Sequence, residues 1–268
     1  MKTAGNGCAH FSRGTAQSIA SAGNQNSVSA MCGRYRIKDT DELTEHLRRT
    51  FNIPDWVAAP RYNVAPSQDI PVVTADEKGA AQITTMRWGL VPFWEKSARP
   101  KLAPINAQSE GVTEKALFRQ SVQKRRCLVP ADGFYEWLWF DEKTKVPFDI
   151  HLKDGAPFFM AGIFEDAQPG RPATCALLTT GPNELMAKIH NRMPAILDPA
   201  EAKRWLAPGP ISKEQIATLT APHPASEMAA VPISSLVNSP RHDGPEILEP
   251  VNFVPPPPTP KTQQGELF

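Results

Sequence analysis

No stretch of this 268-residue chain keeps one structural period for long. Runs that alternate like strands, such as RYNVAPSQDIPVVTA and AQITTMRWGLVPFW, are cut repeatedly by Pro and Gly, which number 28 and 16. Met31 begins a strand-like MCGRYRI. CLVPADGFYEWLWF, PFDIHL, PFFMAGIFE and CALLTTGP also read as strands. Helix signals fall irregularly between them. Asp39 is an N-cap with Glu42 three residues on, followed by Leu43, Leu47 and Phe51 at helical spacing. Residues 113–123 read as a helix capped by Thr113, and Asn183 is placed to cap ELMAKIHNR. Asp198-Pro199 opens a helix ending near Gly209, and a short helix is expected near SKEQIATL. The order is mixed, without βαβ periodicity, and no internal repeat is visible. It predicts an α+β class: one domain with a mixed, mainly antiparallel, curved and barrel-like sheet and flanking helices.

Texture divides the chain in three. Residues 1–30 are small and polar and read as a disordered extension or a misassigned start. Residues 31–250 form the domain. Residues 251–268 are a Pro-rich tail whose four consecutive prolines favour an extended spacer. Hydrophobic residues are 41% and charged residues 21% of the chain, ordinary for a globular core. No apolar run approaches the ~18 residues of a membrane helix, and the front has no apolar signal region. Four scattered cysteines (Cys8, Cys32, Cys127, Cys175) argue against structural zinc and dense disulfides, so no metal or cofactor is expected and a cytoplasmic location is simplest. Cys127 and Cys175 lie in apolar strings and read as inert buried thiols. Net charge is +1, yet residues 31–130 hold 16 Lys/Arg against 11 Asp/Glu, and residues 131–268 hold 11 against 17. A basic half suits a polyanion. A solvated surface of mixed sign explains the same numbers.

Four segments place reactive polar residues inside apolar or Gly/Pro-rich strings: Met31–Tyr35, Ile105–Glu110, Gly133–Trp137 and His190–Pro194. Glu136, between aromatics, is either a desolvated carboxyl suited to proton transfer or a solvent-facing strand residue. His190 near a helix end reads as structural or catalytic, and Asn106 after Ala-Pro-Ile as a turn residue or a site residue.

Together with Arg61–Pro66 and Arg87–Pro92, the last three of these segments form five ordered motifs. From Cys32 to about residue 250 the chain resembles the SRAP family, the SOS-response-associated peptidases or abasic-site processing proteins. The resemblance implies a cysteine directly after a removed initiator Met, here Cys32 after Met31. Its free α-amine, titrating near about 7.7–8.0, attacks the aldehyde of an abasic site in single-stranded DNA. The thiol then closes a five-membered thiazolidine, a covalent DNA–protein crosslink that shields the lesion during replication or the SOS response. By the same resemblance Asn106 orients the amine, Glu136 shuttles protons, and His190 helps open the sugar. Thr179 supplies a site hydroxyl, Arg34 and Arg192 hold phosphates, and Trp88 and the Pro66 loop stack on or wedge between bases. An ordinary core role for Trp88 stays open. Gln108 stands where many relatives have Arg, which predicts weaker or less salt-sensitive DNA binding. The chemistry is lyase-like in its Schiff base, with (auto)peptidase activity suggested by the family name. A monomeric protein acting at the nucleoid is the implied setting.

As written, the Cys32 nitrogen is an amide and not a nucleophile. Either translation starts at Met31 and an aminopeptidase removes it, or residues 1–31 are cleaved off; the first is favoured. At the other end, Gln264, Leu267 and Phe268 fit a bacterial sliding-clamp-binding pattern, or match it by chance. Two competing functions remain: an N-terminal-nucleophile Cys amidohydrolase or peptidase, and a non-catalytic single-stranded-DNA-binding adaptor.

Overall fold

The computed structural model describes residues 32–252 apart from 55, 57, 98, 99 and 140–143. The 1–30 extension, Met31 and the clamp-motif residues Gln264, Leu267 and Phe268 lie outside the described residues. The first half contains β1 (Tyr35–Ile37), α1 (Thr40–Phe51), β2 (Arg61–Val64), β3 (Asp69–Ala75), β4 (Ala81–Trp88), β5 (Asn106–Gln108) and α2 (Arg119–Lys124). Then follow β6 (Arg126–Ala131), β7 (Gly133–Trp139), β8 (Lys145–Leu152), β9 (Phe158–Glu165) and β10 (Thr174–Thr180). The chain continues through β11 (Met193–Pro194), β12 (Ile196–Leu197), α3 (Pro199–Leu206), α4 (Lys213–Leu219) and β13 (Met228–Pro232).

The strands form two sheets. One is antiparallel throughout, in the order β13-β8-β7-β1-β2. The other runs β11-β10-β4-β3-β6-β9-β12, with β5 beside β10. It is mixed, because β4 and β5 both lie parallel to β10. Pairing of β10 with β9 turns this sheet back on itself. Two of the joins are short: Val73 opposite Leu128, and Thr174–Cys175 opposite Arg87–Trp88. The result is a strongly curved sheet and not a closed barrel, within the expected α+β class. No described helix is long and apolar enough to cross a membrane.

Local chemistry explains most boundaries. Asp39 accepts from the Glu42 amide and starts α1, and Asn52 ends it in the left-handed conformation. Asp198 with Glu201, and Ser212 with Gln215, form reciprocal caps on α3 and α4. Three expectations need correction. Thr113 caps no helix; residues 112–118 are turns, and α2 starts only at Arg119. Asn183 does accept from the Met186 amide, but what it caps is a single 3-10 turn, Met186–Lys188, before the chain extends toward β11. The helix opened by Asp198-Pro199 stops at Leu206 rather than near Gly209.

The sheets pack over a continuous apolar core that includes Tyr35, Leu43, Trp88, Leu128, Phe159 and Trp205. Cys127 and Cys175 are fully buried in it, and burial pushes Cys175 up to about 12, as expected of inert thiols. A smaller apolar cluster of Tyr135, Ile233, Val237 and Ile247 lies under the segment after β13, residues 233–250. That segment returns to the first sheet. The buried Asn63 side chain donates to the His242 carbonyl at 2.8 Å and lies within bonding reach of the Val237 and Ser239 carbonyls. Asp243 Oδ1 accepts from the Tyr62 and Asn63 amides, both at 2.6 Å.

Candidate active site

Cys32 lies three residues before the start of β1, 2% exposed, with its backbone in the left-handed region at φ 43°. A cysteine rarely adopts this conformation, and a local constraint holds it there. The Cys32 N–H donates to Glu136 Oε1 at 2.7 Å. The pairing of β1 with β7, Tyr35 opposite Phe134, delivers Glu136 to this point. Glu136 is 2% exposed, so its side chain faces inward rather than to solvent. Of the two readings of Glu136, the structure selects the desolvated, partnered carboxyl. Burial raises its pKa, while the positive field of His190 and the hydrogen bonds from Cys32 hold the rise back. The Cys32 thiol is likewise pushed well up, by burial first and then by the adjacent Glu136 charge; Arg192 opposes this weakly.

His190 follows the 3-10 turn and is half-buried. Its Nδ1 receives the Arg192 amide at 3.2 Å. The Arg192 carbonyl oxygen stands 3.4 Å from the same Nδ1, so the Arg192 backbone orients the ring in either tautomer. Asn106 opens β5, whose register places it opposite Leu177 of β10. The preceding Ile105 lies near the Cys32 turn: a Cβ on Gly33 would stand 3.6 Å from Ile105 Cδ1 and 4.0 Å from Pro66 Cγ. The start of β5 and the Pro66 turn therefore lie close to Gly33, the residue after the cysteine. Ser67 holds that turn with a left-handed φ of 68°.

Arg192 joins the same region from the other sheet. It forms a two-pronged ion pair with Glu110, at 2.7 and 2.8 Å, and also donates to the Thr179 carbonyl at 2.6 Å. Thr179 is fully buried, with its hydroxyl 3.3 Å from the same guanidinium. The hydrogen bonds from Arg192 hold the Glu110 carboxyl below its usual range. Arg34 donates to Asn63 Oδ1 at 2.9 Å and to the Val237 carbonyl at 2.6 Å, so the C-terminal segment fixes its direction.

Residues 31–240 match the family model described as SOS response associated peptidase (SRAP). The chain belongs to the SRAP family. It is 40% identical over 223 residues to the Abasic site processing protein YoqW of Bacillus subtilis, covering 82% of this chain and 99% of that protein. It is 30% identical to the Abasic site processing protein HMCES of Pongo abelii, with 84% of this chain and 77% of that one covered. Among solved structures, a Bacteroides thetaiotaomicron protein superposes with a TM-score of 0.64 at 32% identity, over 73% of this chain and 88% of that one.

Against this SRAP frame, one expected site residue is misplaced. Trp88 is fully buried, donates its indole N–H to the Ile105 carbonyl at 2.9 Å, and meets Tyr35 edge-on. It offers no face to a base. Its service to the site is indirect, holding Ile105 and hence the start of β5. Gln108 is exposed, and Lys115 Nζ lies 3.4 Å from its Oε1, so a cation stands beside the position that lacks one. Sequence reasoning passed over Glu110, although it ends one of the four segments, because nothing local announces its partner 82 residues away. It also passed over Asn63, Trp137, Trp139, Lys145 and Asn238. No cluster of metal-ligating side chains occurs among the described residues.

Proposed function

We propose that this chain processes abasic sites in single-stranded DNA by capturing the lesion aldehyde on Cys32. Support comes from the relatives named as abasic site processing proteins, and one observation carries the chemistry. The nitrogen that must act as nucleophile is the atom held at 2.7 Å by a buried carboxyl of raised pKa. Once the Met31–Cys32 bond is cut, the amine adds to the aldehyde carbon and a C–N bond forms. Glu136 takes the proton released from nitrogen. The alkoxide oxygen takes back that proton and a second one delivered from solvent through His190, and leaves as water to give an iminium. The thiol then adds to the iminium carbon; a C–S bond forms and its proton leaves through Glu136. The products are one thiazolidine and one water. Both nucleophiles belong to one residue, so ring closure is intramolecular. The raised thiol pKa fits this order, in which the amine reacts first and the thiol enters as a neutral group.

Asn106, beside the Cys32 turn, orients the amine in this reading. Arg34, Arg192, Gln108 with Lys115, and the Pro66 turn hold the backbone of the strand, with Thr179 positioning Arg192. A phosphate at Arg192 competes with Glu110 for the same guanidinium fork. A peptidase step that frees Cys32, and a sliding-clamp contact through Gln264, Leu267 and Phe268, belong to the same reading, as does a monomer acting near the nucleoid.

The test is to incubate the chain freed at Cys32 with single-stranded DNA containing an abasic site, alongside Cys32→Ala. A heat-stable crosslink lost in Cys32→Ala is the expected result. A crosslink that survives the substitution overturns the assignment. Amide hydrolysis without any DNA adduct would favour the amidohydrolase reading instead.

A further inference from the structure

The burial of Trp88 leaves the site without the aromatic face assigned to it, and the described residues offer another. Trp139, at the end of β7, is 51% exposed. Lys145, its cross-strand partner at the start of β8, holds Nζ 5.6 Å from the Trp139 ring and 5.5 Å from the Trp137 ring. The two indoles belong to alternate residues of one strand and so stand on one face of the sheet. Trp137 is fixed in orientation, because its N–H donates to Asn238 Oδ1 at 2.7 Å. These side chains line a groove of about 300 Å³ that also contains Arg34, Pro66 and Glu136. The groove is thus continuous with the Cys32 site.

The two indoles and the lysine form one contiguous face of the groove and not a scattered apolar residue. Flat π-faces with cations beside them match a chain of bases joined by phosphates. We infer that Trp139 and Lys145 form a stacking subsite for an unpaired nucleotide flanking the captured one, with the base on the Trp139 face and its phosphate at Lys145. The inference rests on the abasic-site reading and sharpens it: the substrate must extend, unpaired, beyond the lesion on the side that follows β7. Arg34 lines the same groove, so two cations face its space.

The experiment uses the full chain and oligonucleotides carrying a tetrahydrofuran abasic analogue, which binds without covalent capture. Unpaired bases are placed on one side of the analogue, the other, or both, and affinity is read by fluorescence anisotropy. Trp139→Ala should weaken binding about tenfold when the flank is present, with Trp139→Phe close to the unaltered chain. Without the flank, Trp139→Ala and the unaltered chain should converge. Lys145→Ala should weaken binding and flatten the salt dependence by about one counterion. Equal affinity of Trp139→Ala and the unaltered chain on every oligonucleotide overturns the subsite. So does a Trp139-dependent self-association with DNA affinity unchanged, which would make this face a contact between copies. The outcomes separate from those for aldehyde capture. Crosslinking that persists while Trp139→Ala binds normally removes only the subsite; Trp139-dependent binding without any crosslink removes only the capture chemistry.

Discussion

On the proposed chemistry, Glu136 serves reactivity at the expense of stability. A carboxyl whose pKa is raised by folding binds its proton more tightly in the folded state. Its contribution is therefore favourable at low pH and is lost as pH rises through the raised value. Glu136→Gln keeps the shape without the ionisation, so at neutral pH its melting temperature should equal or exceed that of the unaltered chain. Its crosslinking rate should fall about 100-fold, and the rise of rate with pH that reports an ionising carboxyl should vanish. Calorimetry and single-turnover crosslinking across pH check both halves. The sequence exposed this residue only as a choice between a buried acid and a solvated strand position. Strand alternation cannot say which face of β7 is inward, and only the pairing with β1 decides it. Trp88 was undecided for the same reason, and there the core won. Cys32 was legible because its neighbours carry a motif; its left-handed backbone was not.

At the scale of elements, the junction of β6 and β7 is held by a buried charge network. Arg36, 1% exposed, donates from Nε to Asp149 at 2.8 Å and pairs with Asp132. Asp132 also caps the end of β1 by accepting from the Lys38 and Asp39 amides at 2.6 and 2.9 Å. Burial pushes Asp149 up, but the hydrogen bonds from His151 and Arg36 more than offset it and bring it below its usual range. Gly133 is required beside this network. A Cβ there would stand 2.5 Å from Arg36 Cζ, so the guanidinium would have to leave its carboxylates. Gly133→Ala should cost about 3 kcal/mol in urea denaturation, as expected for displacing one partner of a buried ion pair. A cost below about 1 kcal/mol would mean that Arg36 has room to shift. The strands themselves were readable from alternation and the caps at Asp39 and Asp198 from side-chain chemistry. The Thr113 helix was misread because TEKALFRQSVQ has helical composition, while only its last part is ordered as a helix.

Across the whole molecule, the least legible feature is the return of residues 233–250 to the first sheet. Its bonds join residues more than 170 positions apart, and no local pattern encodes such pairs. Asn63 is the hub. Asn63→Ala leaves three carbonyls and the Arg34 guanidinium without their shared partner, which should cost about 2 kcal/mol. Because Arg34 then loses its direction, DNA affinity should fall while the crosslinking rate at saturating DNA stays near that of the unaltered chain. A drop in the saturated rate with affinity intact would show that the segment acts on the reacting residue itself.

That return also sets a clock on synthesis. Arg34 reaches its final position only when the Val237 carbonyl exists, so a ribosome-bound chain carries Cys32 long before it carries a finished groove. Placing one wall of the groove 203 residues after Arg34 means that the groove is completed late. On the proposed aldehyde chemistry, the interval before completion is when other aldehydes would reach Cys32 unopposed.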